Sequence, residues 1–304
     1  YGQTEVFRFY GGPIDDESGP EGRINAWPLD ENYIDYVAGN TEGGIINNIA
    51  AYPNLSEELL SELNEQGGET NISTGFHAIE FLLWGQDLTS PSEKKSGQRP
   101  LEDFTSNKNA ERRKEYLTIV TSLLINDLRY LVDEWSSSSN VNYRSRFIKK
   151  NVDSALTDIL QGMGSLSGGE LSGERMSVAL GKGEQEDEHS CFSDNTHNDI
   201  KMNMKGIKNI WAGNYQKRDG AAVQGVGVYE LIKGKDAATA DEVNNYFTNS
   251  EQKINEIQSP FDYEISQGNI AGNQRVSLAI TALQKQALGI VKVADKLGIR
   301  LNVE

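Results

Sequence analysis

Between Phe76 and Trp84 the chain reads F-H-A-I-E-F-L-L-W, and only His77 and Glu80 in it are polar. Three positions apart, the two point to nearly the same side of a helix, with Phe81 and Trp84 continuing that face and Phe76, Ile79 and Leu83 filling another. A helix that is apolar nearly all round is a buried one, and an ionised carboxylate inside it needs a cation, a proton or a set of donors. Two readings stay open. His77 and Glu80 form a core pair, satisfied by each other or by an arginine, or they line a site for metal or acid–base chemistry.

A second stretch bears on the choice. Glu184 to Asp199 reads E-Q-E-D-E-H-S-C-F-S-D-N-T-H-N-D, with six acids, two histidines, the single cysteine and no lysine or arginine. Glu184, Glu186 and Asp187 read as a solvated acidic loop. His197, Ile200, Met204, Ile207 and Trp211 fall on one helical stripe, so His197 is expected at the inward N-terminal end of a packed helix, with Asp194 or Thr196 as its N-cap. Cys191 reads as a small buried hydrophobe, since no neighbouring positive charge would activate its thiol. The chain has three histidines, His77, His189 and His197, and all of them fall in these two stretches. Imidazoles and carboxylates brought together would suit a transition metal.

Helices must position these groups. Leu117, Val120, Leu124, Leu128, Leu131 and Trp135 make one amphipathic stripe, and Val152, Leu156, Ile159 and Met163 make another. Asp241 to Ser259 reads as a helix stopped by Pro260, and a long packing helix runs from Gly272 to Gly298. No comparable strand alternation occurs, so the class is all-α, built from helical bundles. Residues 1–31, with Gly11-Gly12-Pro13 and Trp27-Pro28, read as a structured loop, and Ser165 to Gly173 as a flexible turn or broken helix. Ser136 to Asn140 reads as the linker between an N-terminal domain, 1–138, and a C-terminal domain, 139–304. Leu83-Trp84-Gly85 and Trp211-Ala212-Gly213 are a weak internal echo that hints at duplication.

At 304 residues with a formal charge of −16, the chain would be repelled by nucleic acid and by an anionic bilayer, whereas cations and basic ligands would be drawn in. No run of about twenty apolar residues stands out as a spanning helix. With Cys191 alone, no intramolecular disulfide is available.

G-F-H-A-I-E, with Gly75, His77 and Glu80, resembles the GxHxxE motif of the imelysin family, the imelysin-like or insulin-cleaving membrane protease group. G-P-E-G-R-I-N-A-W-P-L-D-E-N-Y-I-D-Y-V at 19–37 and E-D-E-H-S-C-F-S-D-N-T-H-N-D at 186–199 are similar to further stretches of that family. The resemblance implies two similar helical-bundle domains packed side by side, with the first helices of the N-terminal one lying before Tyr1. It implies a bacterial envelope protein, periplasmic or an outer-membrane lipoprotein, associated with iron uptake and anchored, if at all, by a segment outside this chain. The expected partners are a metal ion or an iron-related ligand and other envelope iron-uptake components.

Carried over residue by residue, the resemblance puts the site on Gly75, His77 and Glu80, facing the His189 to His197 segment, at the interface of the two domains. His77, Glu80, His189 and His197 are then the candidate ligands of iron or zinc. Gly75, Ser193 and Asp194 are candidate ligand contacts, Ser193 orienting the ligand or a water, and Glu80 is the candidate catalytic base. The family's peptidase label meets a chemical difficulty. Zincins use H-E-x-x-H and inverted forms H-x-x-E-H, but Phe81 follows Glu80 here, so three protein ligands would require His189, His197 or Asp194. Ser190 and Ser193 flank a histidine and an aspartate, yet nothing resembles a nucleophile elbow. Whether the protein is an enzyme stays open at this stage; metal binding, peptidase activity and a structural His/Glu pair in an interaction module are the three readings.

Overall fold

Apolar residues recurring every three or four positions make helices of most of the chain, as the computed structural model of residues 19–301 shows. The protein is all-α apart from one small hairpin among these residues. The described residues divide into two compact units, one of residues 19–144 with His189–Asp194 and the other of Ser145–Glu188 with residues 195–301. The hexapeptide H-S-C-F-S-D therefore belongs with the first unit, although its sequence neighbours on both sides belong with the second. Gly11-Gly12-Pro13 lies outside the described residues. The rest of the expected N-terminal loop is not all loop, because Glu21–Asn25 forms the short helix α1 with Ile24 fully buried.

In the first unit, α2 (Gly75–Trp84) packs against the long α3 (Ala110–Glu134). Ala78, Phe81 and Leu82 are its fully buried apolar residues, sharing a core with Tyr116 and Val120 of α3 and with Ile34, Ile46 and Leu60. The helix is not buried all round: Leu83 and Trp84 reach solvent in its last turn. On α3 the buried stripe includes Arg113, Tyr116 and Asp127 beside the expected leucines.

Arg113 enters the core because it has company. Asp35, fully buried, accepts from Arg113 Nε at 2.6 Å and Nη2 at 2.9 Å and from Arg99 Nη1 at 2.8 Å. Asp103 accepts from the same Arg99 nitrogen at 3.0 Å, from Tyr36 Oη at 2.6 Å and from Asn107 at 2.9 Å. Two buried arginines thus face two buried aspartates, a neutral quartet. The guanidinium of Arg99 also lies over the rings of Phe81 and Tyr36, at 5.0 and 5.3 Å, which ties the quartet to α2.

The quartet predicts how stability depends on pH. Burial and the hydrogen bond to Asp103 push the Tyr36 phenol up to about 12. Burial alone would raise Asp103, but the bonds from Tyr36 and Asn107 and the charges of Arg99 and Arg113 outweigh it and hold its carboxyl below the usual value. A depressed carboxyl contributes stability above its unfolded pKa, about 3.9, that is lost as pH falls through the folded value. A raised phenol contributes stability below about 10 that is lost as pH climbs towards its folded value. Tyr36→Phe should therefore flatten both falls in urea midpoint, the alkaline one because the raised phenol is gone and the acid one because Asp103, short of one donor, is held less far below its unfolded value. Identical pH profiles for variant and wild type would contradict this.

In the second unit, α4 (Val152–Ser165) runs straight into a π-helical segment, Leu166–Ser177. The expectation of a flexible turn or broken helix over Ser165–Gly173 is thus corrected to continuous, widened helix. Hydroxyls serve its looser ladder: Ser167 donates to Met163 O at 2.7 Å and Ser172 to Gly168 O at 2.6 Å. Buried Arg175 ties the segment to a later helix, α5 (Thr196–Ala212), by donating to Asn203 Oδ1 at 2.6 Å. Ile200, Met204, Ile207 and Trp211 form the buried stripe of α5, as their spacing predicts.

A hairpin follows, β1 (Asn214–Gln216) antiparallel to β2 (Ala222–Gln224), and then α6 (Ala237–Glu256) and α7 (Ile270–Leu297). Trp211 stacks on Phe247 of α6 at 4.7 Å, and its indole N–H donates to Asn244. By length and mean hydropathy α7 is the one described helix that could cross a membrane, contrary to expectation. Val276, Ala279, Leu283, Gln286, Ile290 and Val293 are nonetheless buried in this unit's interior, so α7 is its core helix.

Candidate functional site

The start of α2 is fixed before any chemistry is considered. Asn64 Oδ1 accepts from the backbone N–H of Ser73 and of Thr74 and from the Thr74 hydroxyl, at 3.0, 3.3 and 3.1 Å. Ser73 Oγ donates to Leu60 O at 2.6 Å, and Tyr116 Oη donates to Ser73 O at 2.8 Å. Gly75 then begins the helix at φ +87°, pressed so closely against α1 that a Cβ there would stand 2.6 Å from Ile24 O. The structure gives Gly75 this steric role, which sets where His77 emerges two residues later.

His77 and Glu80 are both buried, with Nδ1 of the imidazole 3.3 Å from Oε2 of the carboxylate. The other oxygen, Oε1, accepts from the Ser193 backbone N–H at 2.9 Å and from Ser193 Oγ at 2.6 Å. Glu80 is therefore held by three groups, and no arginine is among its partners in the described residues. The His189 ring meets the His77 ring edge-on, with centroids 4.6 Å apart, and Trp27 lies against the far side of the pair at 5.7 Å from His189. The hexapeptide is itself anchored to the unit by Gly97 N–H donating to Phe192 O at 2.8 Å and by Phe192 against Phe81.

The direction of these bonds limits what each group can do. With Nδ1 turned to the carboxylate, Nε2 is the imidazole nitrogen that points away from Glu80. A histidine that ligates a metal commonly donates its other N–H to a carboxylate, which fixes the tautomer and raises basicity. Glu80 stands in that orienting position. The Ser193 hydroxyl points at Glu80, not at an imidazole nitrogen, so this is no serine nucleophile activated by histidine. Phe81, where an inverted zinc motif would carry a histidine, is wholly buried between Phe192 and Arg99.

Of the residues singled out by sequence, His77, Glu80, His189 and Ser193 come together in the first unit, with Gly75 beneath them. Asp194 follows at once, buried and at φ +55°; it is not the N-cap of α5, a position taken by Asn195. His197 is half-buried in the first turn of α5 and belongs to the second unit. Cys191 is buried in the apolar cluster with Phe81 and Phe192, as its type led us to expect.

Sequence reasoning passed over Asp87. Its carboxylate, buried and bonded by Thr89, has an oxygen within 4.8 Å of one of Asp194. A single aspartate past the end of a helix carries no signal in the sequence, because what marks it is a partner 107 residues away. The His77 and His189 imidazoles meet each other, and the Asp87 and Asp194 carboxylates meet each other; nitrogen and oxygen donors of both types are ones that divalent zinc and iron accept.

The Imelysin family model matches residues 1–289 of the chain. Iron-regulated protein A of Synechococcus elongatus is 26% identical over 305 residues, an alignment that spans 95% of this chain and 71% of that protein. A solved structure from Parabacteroides distasonis, described as an iron-regulated protein A precursor, has the same fold, with TM-score 0.68 and 21% identity over 97% of this chain and 79% of that one.

Proposed function

The chain belongs to the imelysin family, and from that premise we propose that it is an iron-related bacterial envelope protein that binds a metal cation through the His77 and His189 imidazoles. The carrying observation is the relay from Ser193 through Glu80 to His77 Nδ1, which presents Nε2 as a ligand atom of fixed direction. In this reading Glu80 is the positioning carboxylate and not a direct ligand or a catalytic base. Asp194, in the same hexapeptide as His189, adds negative charge to that segment. The iron connection comes from the names of the relatives, and the envelope location from the word precursor in one of them. Iron and zinc both fit the donor types. Other components of iron uptake in the envelope would be its partners.

Ser193 occupies one oxygen of Glu80 and His77 the other, which supports the carboxylate as an orienting group. Isothermal titration of the full chain with zinc, and anaerobically with ferrous iron, tests this. His77→Ala should abolish saturable binding, whereas Glu80→Ala and Ser193→Ala should weaken it by about 10- to 100-fold, the range for losing an orienting partner. Unchanged affinity in His77→Ala and Glu80→Ala together would sink the assignment. Chelator-sensitive cleavage of a peptide library would replace it with the peptidase reading.

A further inference from the structure

A second feature lies wholly within the C-terminal unit, and its argument is independent of the metal reading. Between α5, the β1–β2 hairpin and α6 runs a groove of about 570 Å³. One wall carries Lys201, Lys205 and Lys208, at the spacing that puts all three on one face of α5. Lys208 is paired with Glu251 at 2.5 Å, while Lys201 and Lys205 have no ion-pair partner among the described residues. Like charges four apart on a helix repel each other, so the array weakens α5 unless an anion lies along it. In a chain of net charge −16 it is also a local reversal of sign.

The opposite wall has different chemistry. Asn214 and Gln216 stand two apart on β1, and Gln224 is the cross-strand partner of Asn214, so three carboxamides share one face of the hairpin. Each offers a donor pair and an acceptor, the combination that satisfies neighbouring hydroxyl groups, which also donate and accept. A bare phosphate or carboxylate would use only the donors. Met204 and Ile254 give the groove an apolar floor on which C–H faces can rest. With Lys208 held by Glu251, Lys201 and Lys205 are the two cations left to a ligand, about 6 Å apart along the helix axis, a spacing that meets two successive charges on a chain better than a single ion.

We infer that this groove binds an acidic oligosaccharide, its carboxylates along the α5 lysines and its hydroxyls on the hairpin carboxamides. The probe is trigalacturonate, titrated into the full chain at low ionic strength, with maltotriose, inorganic phosphate and triglutamate for comparison. Saturable binding of trigalacturonate is expected. It should weaken at least about tenfold in Lys201→Gln/Lys205→Gln and in Asn214→Ala/Gln216→Ala, and stay unchanged in Lys285→Gln, an exposed lysine on α7. Circular dichroism melts that coincide with wild type exclude misfolding as the cause. Absence of saturable trigalacturonate binding, or equal binding by the lysine double variant, overturns the inference. Tighter binding of maltotriose, phosphate or triglutamate overturns the acidic-saccharide class. His77→Ala should leave this binding intact, which separates its failure from that of the metal site.

Discussion

Gly75→Ala is expected to destabilise the protein by about 3 kcal/mol and to impair the proposed metal binding in whatever fraction remains folded. Two costs add. At φ +87° any side chain is strained by roughly 1–2 kcal/mol. The new Cβ would also stand 2.6 Å from Ile24 O and 2.9 Å from Arg23 O, which are backbone atoms and cannot rotate away. Relief requires α1 and the start of α2 to separate, and packing violations of that kind cost about 1–3 kcal/mol. Gly39 is the internal control: it has the same φ of +87° but nothing within 4 Å of its Cβ position, so Gly39→Ala carries only the backbone strain. Urea unfolding of both variants separates the two costs. Equal destabilisation would mean that the clash with α1 contributes nothing. If Gly75→Ala is instead as stable as wild type but binds metal poorly, Gly75 acts on the ligand and the steric account fails.

The steric role of Gly75 shows what the sequence could and could not reveal. The motif marked glycine as necessary, but the backbone that demands it lies 51 residues earlier, in a five-residue helix too short to show a period. The helices of the second unit were legible because each has a long apolar stripe facing one core, as Ile200, Met204, Ile207 and Trp211 do. The π-helical segment was not, since its glycines and serines carry the composition of a loop while their hydroxyls bond back to helix carbonyls. The clustering of the histidines in two stretches anticipated that the rings of His77 and His189 meet, whereas His197 belongs to the other unit. What it missed was direction: Ser193 serves Glu80, and Glu80 serves His77. Such a relay depends on which oxygen meets which nitrogen, and spacing along the chain has no information about that.

The second large effect is expected at Asp35, where Asp35→Ala should cost about 3–5 kcal/mol, the range for leaving a buried charge uncompensated. Arg99 and Arg113, both almost wholly shielded from water, would then share only Asp103 and a few backbone oxygens. The quartet would carry one excess positive charge in the core. Removing one charge of each sign restores the balance, so Asp35→Ala combined with Arg113→Met should cost less than the sum of the two single changes. A thermodynamic cycle from urea unfolding at pH 7 measures this, and strict additivity would mean that the charges are not coupled. The consequence reaches the site through Arg99, whose guanidinium holds the face of Phe81 one residue beyond Glu80. Asp35→Ala should therefore weaken metal binding even under conditions where the variant is fully folded, whereas the balanced double variant should recover part of that loss.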